Sequence, residues 1–342
     1  MSVSRTPTRA SRIDDLASIP SAPKIAVVIP CYRVAAQIAN VVRSVPPSCE
    51  LIICVDDASP DGLRDALDSI EDQRLVRLRH DTNRGVGGAV KTGWVEALAR
   101  DADIVVKLDG DGQMDGRDIE VLIAPLVDGR ADFAKGNRFV DHEALRAMPR
   151  SRLIGNAALS LGVKAVSGYW NVLDPTNGFV AIRASLLRQL DAARLDDRYF
   201  FETSLLVELN IRRAVVADVA LPARYGDESS SLRVSHSIAT FPMRLVAAFL
   251  RRFYWRYLIQ DFGIVSIAVL LGVPLVLFGA AFGATHWIRS VQSGIPATAG
   301  TVFVAALPII LGAQLLLVGL VLDVLASPTI KLDHRTGASP RS

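Results

Sequence analysis

Two stretches in the last quarter of the chain, Phe262 to Thr285 and Ala299 to Leu325, carry almost no charge. An apolar run of about 22 residues at 1.5 Å per residue reaches about 33 Å, enough for a hydrocarbon core of about 30 Å. Inside lipid every backbone N–H and C=O must be satisfied within the segment, which predicts two helices. Pro274 and Pro308 are tolerated in such helices, and Asp323 stands close enough to the second one's end for its carboxylate to reach the interface. The link from His286 to Thr298 carries one arginine while both outer flanks carry more, so the positive-inside rule predicts a hairpin with both outer ends cytoplasmic.

The 342 residues are 50% hydrophobic, and the mean hydropathy is +0.31. That excess sits in the two stretches, since about the first 235 residues have ordinary globular composition. A net charge of +3 with no basic face interleaved with aromatics excludes a nucleic-acid binder. Cys31, Cys49 and Cys54 are odd in number and lack CxxC spacing, so neither a disulfide framework nor a zinc site is indicated, and a reducing compartment fits. The five histidines are scattered. Residues 1–23 are rich in Ser, Arg and Pro without an apolar core, which predicts a flexible tail rather than a secretory signal.

From Lys24 onward, short β-branched runs alternate with helical periodicity. Strands are predicted at Lys24 to Pro30, Leu51 to Val55, Val76 to Leu78 and Ile104 to Leu108, with helices over Ala36 to Val45, Gly62 to Glu71 and Gly88 to Arg100. Further on, Arg117 to Val127, Leu153 to Val166 and Phe200 to Asn210 read as helices, and Phe133 to Gly136 and Phe179 to Ile182 as strands. The alternation predicts an α/β domain with a parallel sheet covered on both faces. Between Ile238 and Asp261, Phe241, Leu245, Phe249, Phe253 and Tyr257 recur every fourth residue, with Arg244, Arg251, Arg252 and Arg256 among them. That pattern predicts an interfacial helix whose arginines attract anionic lipid, its place just before an apolar stretch favouring this over a helix packed on the globular domain with its arginine stems covering apolar surface.

Ligands of such sheets bind beyond the carboxyl ends of the strands, where this chain places its unusual residues. The fourth strand runs into Asp109-Gly110-Asp111-Gly112-Gln113. Two hard carboxylate ligands one glycine apart suit Mg²⁺ or Mn²⁺ on a diphosphate, although an Asp-Gly turn alone has the same residues. Asp56 and Asp57 end the second strand, where a nucleoside's base or ribose could supply the donors that offset their repulsion. Asn83-Arg84-Gly85-Val86-Gly87-Gly88-Ala89 enters a helix, and its glycines would admit a phosphate or ribose to the helix N-terminus. This loop follows the third strand rather than the first, which disfavours a nicotinamide-binding fingerprint.

Taken in order, VVIPCY, VDDASPDG, NRGVGGA, KLDGDGQ, KGNRF, DPTNGF and RYGDESSSL resemble the family 2 glycosyltransferases of the GT-A fold, and among them the polyprenyl-phosphate sugar transferases similar to dolichol-phosphate mannose synthase. The resemblance covers Lys24 to Arg233 and implies a Rossmann-like nucleotide-sugar domain with a mixed, mostly parallel sheet, followed by the amphipathic helix and the transmembrane hairpin. It implies that Pro30, Tyr32, Asp57 and Arg84 serve the nucleoside, and that Asp109 and Asp111, with Gln113, hold the metal and diphosphate. It further implies that Arg138, Arg152, Asn156 and Arg224 receive an acceptor phosphate, with Asp174 and Glu202 on the sugar side. Arg33-Val34 departs from the family's Asn-Glu after the first-strand tyrosine.

The implied protein is an integral inner-membrane hexosyltransferase with its catalytic domain in the cytoplasm. It would move a sugar from a UDP-glucose or GDP-mannose type donor to undecaprenyl or dolichyl phosphate, with inversion and with Mg²⁺ or Mn²⁺. The expected division is a tail (1–23), a catalytic domain (24–235), an amphipathic juxtamembrane region (236–261), two transmembrane helices at about 262–285 and 299–325 within 262–326, and a cytoplasmic tail (327–342). Two alternatives compete: a processive polysaccharide synthase, which would need a QxxRW-like motif and more spans, and a non-catalytic membrane scaffold of the same fold. A homo-oligomer is compatible with either the enzyme or the scaffold.

Overall fold

The computed structural model describes residues 22–138, 150–222 and 234–328. Strand β1 (Ile25–Cys31) pairs in parallel with β2 (Leu51–Asp56) on one side and β4 (Ile104–Lys107) on the other, and β3 (Leu75–Arg79) continues beyond β2. Beyond β4 lie β6 (Val180–Arg183), β5 (Phe133–Asn137) and β7 (Val216–Ala220), giving the order β3-β2-β1-β4-β6-β5-β7. Strand β6 runs antiparallel to both β4 and β5, so the seven-stranded sheet is mixed and mostly parallel, the GT-A-like arrangement.

Both sheet faces are covered, which explains why β1 and β2 read as unbroken apolar runs. Ile25, Val27 and Ile29 of β1 face a core shared with helices α1 (Ile38–Ser44), α2 (Leu63–Asp68) and α4 (Ile119–Val127). Ala26 and Val28 face the opposite core, built from α3 (Val86–Ala99), α5 (Arg150–Ser167) and α7 (Phe201–Ile211), with the short α6 (Ala184–Leu187) at its edge. Helix α3 lies directly on β1 because Gly93 has no side chain: a Cβ there would collide with the methyls of Val28.

Helix α8 (Val234–Phe253) runs through a π-helical turn, Tyr254–Gln260, into α9 (Ile264–Ser293), and α10 (Ala299–Leu325) returns antiparallel to it. Both α9 and α10 are long and apolar enough to cross a membrane. They approach closely through glycines, a Cβ on Gly272 falling 3.0 Å from the Gly312 carbonyl.

The stripe on α8, predicted to lie on the membrane interface, instead turns largely toward the globular domain, with Phe249 left exposed. Phe241 meets Phe200 edge-on at 5.4 Å between ring centroids, and Leu245 packs against the cluster of Val166, Val207 and Ile211. Its arginines are matched by protein carboxylates, Arg244 with Asp196 at 2.7 Å, Arg251 with Glu208 and Arg252 with Asp323 at 2.7 Å, and Arg256 of the π-helical turn stands 3.8 Å from Asp261. A second apolar stripe, Met243, Val246, Leu250 and Tyr254, is exposed. The tails expected at 1–23 and 327–342 lie outside the described residues except at 22–23 and 327–328.

The Gly93 contact yields a test of the sheet–helix seam. Gly93→Ala should cost about 1–3 kcal/mol by overpacking, and Val28→Ala should recover part of that loss, a coupling readable from a thermal double-mutant cycle. Additive losses would contradict the contact.

Candidate active site

The parallel pairing of β1 with both β2 and β4 opens a crevice at their carboxyl ends, where strand order reverses. Pro30 stands opposite Val55 and Cys31 opposite Asp56, and the Asp57 N–H donates to the Cys31 carbonyl at 3.0 Å. The turn after β4 folds over the same edge, since a Cβ on Gly110 would lie 3.3 Å from the Pro30 carbonyl. Pro30, Tyr32, Asp57 and Asp109 therefore converge here.

Asp57 is buried and its two oxygens bind this chain. Oδ1 accepts from the Arg84 N–H at 2.8 Å and pairs with His80 Nδ1 at 2.7 Å, while Oδ2 accepts from the Gly85 N–H at 2.7 Å. The imidazole reaches onward to Thr92 Oγ1 at 2.9 Å, tying the loop to α3. Asp57 thus shapes the loop that carries the exposed Arg84, and Tyr32, just past the end of β1, is also exposed. The space beside the loop glycines is filled by protein: a Cβ on Gly85 would fall 2.5 Å from the Asp197 carbonyl and one on Gly87 2.7 Å from the Phe201 ring. These glycines admit the 196–201 segment, where a phosphate or ribose was expected from the sequence.

Arg33 occupies the left-handed region (φ 58°), with its N–H on Ser59 Oγ at 2.7 Å and its guanidinium 5.4 Å from the centre of the Tyr32 ring. The family's glutamate position is Val34, a buried core residue, so no carboxylate projects from that turn.

Beneath Asp109 lies a charged cluster. Lys107, 1% exposed, donates from Nζ to Asp109 Oδ1 at 2.7 Å, to the Gly178 carbonyl at 3.2 Å and to Glu202 Oε1 at 3.4 Å. Burial acts against its charge, but the Asp109 and Glu202 carboxylates prevail and raise its pKa above the ordinary amine value. Gly178 lies close against this pair, where a Cβ would sit 2.5 Å from Lys107 Nζ. Lys135 stands across Val180 from Lys107 in the sheet and donates to the Asn177 carbonyl. Burial pulls its pKa down to about 8, against the opposing pull of Glu202 and Asp174. Arg138 closes the cluster with Nε on buried Asp174 at 2.9 Å.

Asp111 accepts the Gln113 N–H at 3.0 Å and borders a surface cavity of about 550 Å³ with Gln37, Asn40 and Arg43. Among the described residues no three His, Cys, Asp or Glu side chains form a metal cage. A Mg²⁺ that binds one or two carboxylates together with substrate phosphates needs no such cage. The hard carboxylate oxygens of Asp109 and Asp111, one glycine apart, are of the donor type that suits such a cation. Arg152 and Asn156 stand in α5, and Arg224 lies outside the described residues.

Lys107 and Lys135 open the KLDGDGQ and KGNRF motifs, from which no role follows for them, yet a lysine inside the apolar runs IVVKL and FAKG is itself a signal, because buried ammonium groups demand partners. Lys135 also carries a pH signature. Folded, it releases its proton near 8, whereas an unfolded lysine does so near ~10.4, so the unfolded state binds more protons between these values and stability rises with pH across that window. The wild-type unfolding midpoint should therefore gain on that of Lys135→Met between pH 8 and 10. Parallel profiles would contradict it.

Residues 26–191 match Glycosyl transferase family 2. The chain is 28% identical over 220 residues, 60% of its length and 87% of the relative's, to the UDP-N-acetylglucosamine–dolichyl-phosphate N-acetylglucosaminyltransferase of Methanococcus voltae. It is 30% identical to the polyprenol monophosphomannose synthase of Mycolicibacterium smegmatis, over 56% of this chain and 74% of that one. The undecaprenyl-phosphate mannosyltransferase of Micrococcus luteus is likewise 30% identical, over 53% and 76%. With the acidic turn of β4 seated at the edge of a GT-A-like sheet, this chain belongs to glycosyl transferase family 2.

Proposed function

We propose that the protein moves a hexose from a nucleotide diphosphate sugar of the UDP-glucose or GDP-mannose type to a polyprenyl phosphate, undecaprenyl or dolichyl, at the cytoplasmic face of a membrane. The observation that carries this reading is the Asp109-Gly110-Asp111 turn, whose first carboxylate is seated on buried Lys107 at the carboxyl end of β4, beside β1 and β2. The relatives named above, which act on dolichyl, polyprenol or undecaprenyl phosphates, support the acceptor class.

The chemistry asks little of a general base. A phosphate monoester has its second pKa near ~6, so the acceptor is already an anionic nucleophile near neutrality. The barrier lies in bringing two anions together and in stabilising the departing nucleoside diphosphate. Arg138, Arg152 and Arg224, with Asn156, suit the first task because a guanidinium stays charged and grips phosphate through paired N–H donors. Asp174 holds the Arg138 guanidinium by Nε, which fixes its direction. Asp109, Asp111 and Gln113 would hold Mg²⁺ or Mn²⁺, which when bound neutralises charge on the leaving diphosphate. Tyr32 and Arg84 offer an exposed aromatic face and a guanidinium to the nucleoside. Direct in-line displacement by the phosphate inverts the anomeric centre.

Membrane attachment rests on α9, α10 and the exposed stripe of Met243, Val246, Leu250 and Tyr254 on α8. Because the α8 arginines are held by protein carboxylates, apolar insertion carries more of the bilayer contact in this reading than attraction to anionic lipid does.

Transfer of radiolabelled sugar into an organic-extractable lipid tests the proposal. Asp111→Ala should lower turnover by about 100-fold or more, the scale seen when one transition-state electrostatic partner is lost. Arg152→Ala should raise KM for the lipid phosphate by about tenfold, the scale of one charge-assisted bond, with kcat little changed. Undiminished product from Asp111→Ala would remove the assignment of the acidic turn.

A further inference from the structure

Asp323, near the end of α10, was expected from the sequence to reach toward the interface. Instead its carboxylate is buried and takes four hydrogen bonds from two other parts of the chain. Arg252 of α8 donates Nη1 to Oδ1 at 2.7 Å and Nη2 to Oδ2 at 3.0 Å. The Tyr257 hydroxyl of the π-helical turn donates to Oδ1, and the Trp170 indole N–H reaches Oδ2 at 3.4 Å. Four donors match the acceptor capacity of one carboxylate.

The same guanidinium continues into the globular domain. Arg252, 1% exposed, donates from Nη2 to the Ala165 carbonyl at 3.1 Å in the last turn of α5. Gly168, in the left-handed region at φ 74°, makes room for it, since a Cβ there would fall 2.9 Å from the guanidinium carbon. Ser327 Oγ donates to Asn171 Oδ1 at 3.0 Å just past the end of α10, and Ser266 at the start of α9 donates to the Tyr257 carbonyl. Both hairpin ends and the carboxyl end of α5 therefore meet around Tyr257 and Asp323.

Helix α5 carries Arg152 and Asn156 at its other end. Its 18 residues span about 27 Å at 1.5 Å per residue. A fixed lower end thus sets where the upper end stands relative to the hairpin. We propose that Asp323 is a positioning residue: with Arg252, Tyr257 and Trp170 it fixes the catalytic sheet and α5 in one orientation on the membrane hairpin, and so sets the presentation of the acceptor site to a phosphate held in the bilayer. The consequence for the acceptor rests on the lipid-phosphate reading above, whereas the fixed orientation does not.

Loss of the carboxylate leaves a buried guanidinium without a counter-charge, so the joint loosens. If only about a tenth of the molecules then hold the competent orientation, the apparent affinity for a bilayer acceptor falls about tenfold while a soluble acceptor is unaffected.

Wild type, Asp323→Ala and the milder Tyr257→Phe are compared in nanodiscs with undecaprenyl phosphate in the bilayer and with water-soluble geranyl phosphate. Asp323→Ala should raise KM for undecaprenyl phosphate about tenfold and Tyr257→Phe by a smaller factor, with kcat and geranyl phosphate kinetics unchanged. Equal losses with both acceptors, which a merely structural role produces, would overturn the proposal, as would no loss with either. A second readout needs no turnover: the distance distribution between spin labels at Val95→Cys on α3 and Ile295→Cys in the hairpin link, both exposed positions. It should be narrow in the wild type and broad in Asp323→Ala, and an unchanged width overturns the fixed orientation. Wild type that makes no lipid-linked sugar would refute the function proposed above, while the distance readout would still decide the orientation.

Discussion

The charge pair between Lys107 and Asp109 organises the edge of the sheet. A lysine 1% exposed within β4 keeps its proton because Asp109 and Glu202 stand over it. In return, Asp109 is seated on the buried ammonium, and Gly178 lies against both groups. The DPTNGF turn is thereby built against the DGDG turn, and through Asp174 it also fixes Arg138. Asp109 and Arg138 are both tied to this charged cluster, and under the proposed function the cluster gives diphosphate departure and phosphate approach a common support.

Much of the fold was legible because its signals are local. The runs at β1, β2 and β4 are β-branched and bounded by turns, and the hairpin is written in composition. The reversal of β6 was not legible from periodicity, since a four-residue strand has the same pattern in either direction and only pairing partners decide. Strand β7 also escaped: VADVA alternates too weakly, and β5 beside it supplies the pairing. The stripe on α8 was read correctly as a stripe, but a 3.6 period does not say what it faces. Arg244, Arg251 and Arg252 face carboxylates that lie roughly 40–70 residues away in sequence, a long-range fact that no window contains.

At the site, the motif order located the acidic turns and the family. What each residue touches was less accessible. Asp57 spends both oxygens on its own loop, and the loop glycines accommodate the 196–201 segment, because backbone N–H groups near a buried carboxylate claim it first. The two buried lysines open the KLDGDGQ and KGNRF motifs, but their shared place becomes visible only once β4, β6 and β5 are set side by side.

The central claim is that Asp109 and Asp111 and a substrate diphosphate bind a divalent cation jointly. Paramagnetic resonance of Mn²⁺ titrated against the protein, alone and with a nucleoside diphosphate, tests it most directly. The account predicts weak Mn²⁺ binding alone, binding strengthened by the diphosphate, and loss of that coupling in Asp109→Asn. Nucleoside diphosphate that binds equally well with and without Mn²⁺, or coupling that survives in Asp109→Asn, would contradict it.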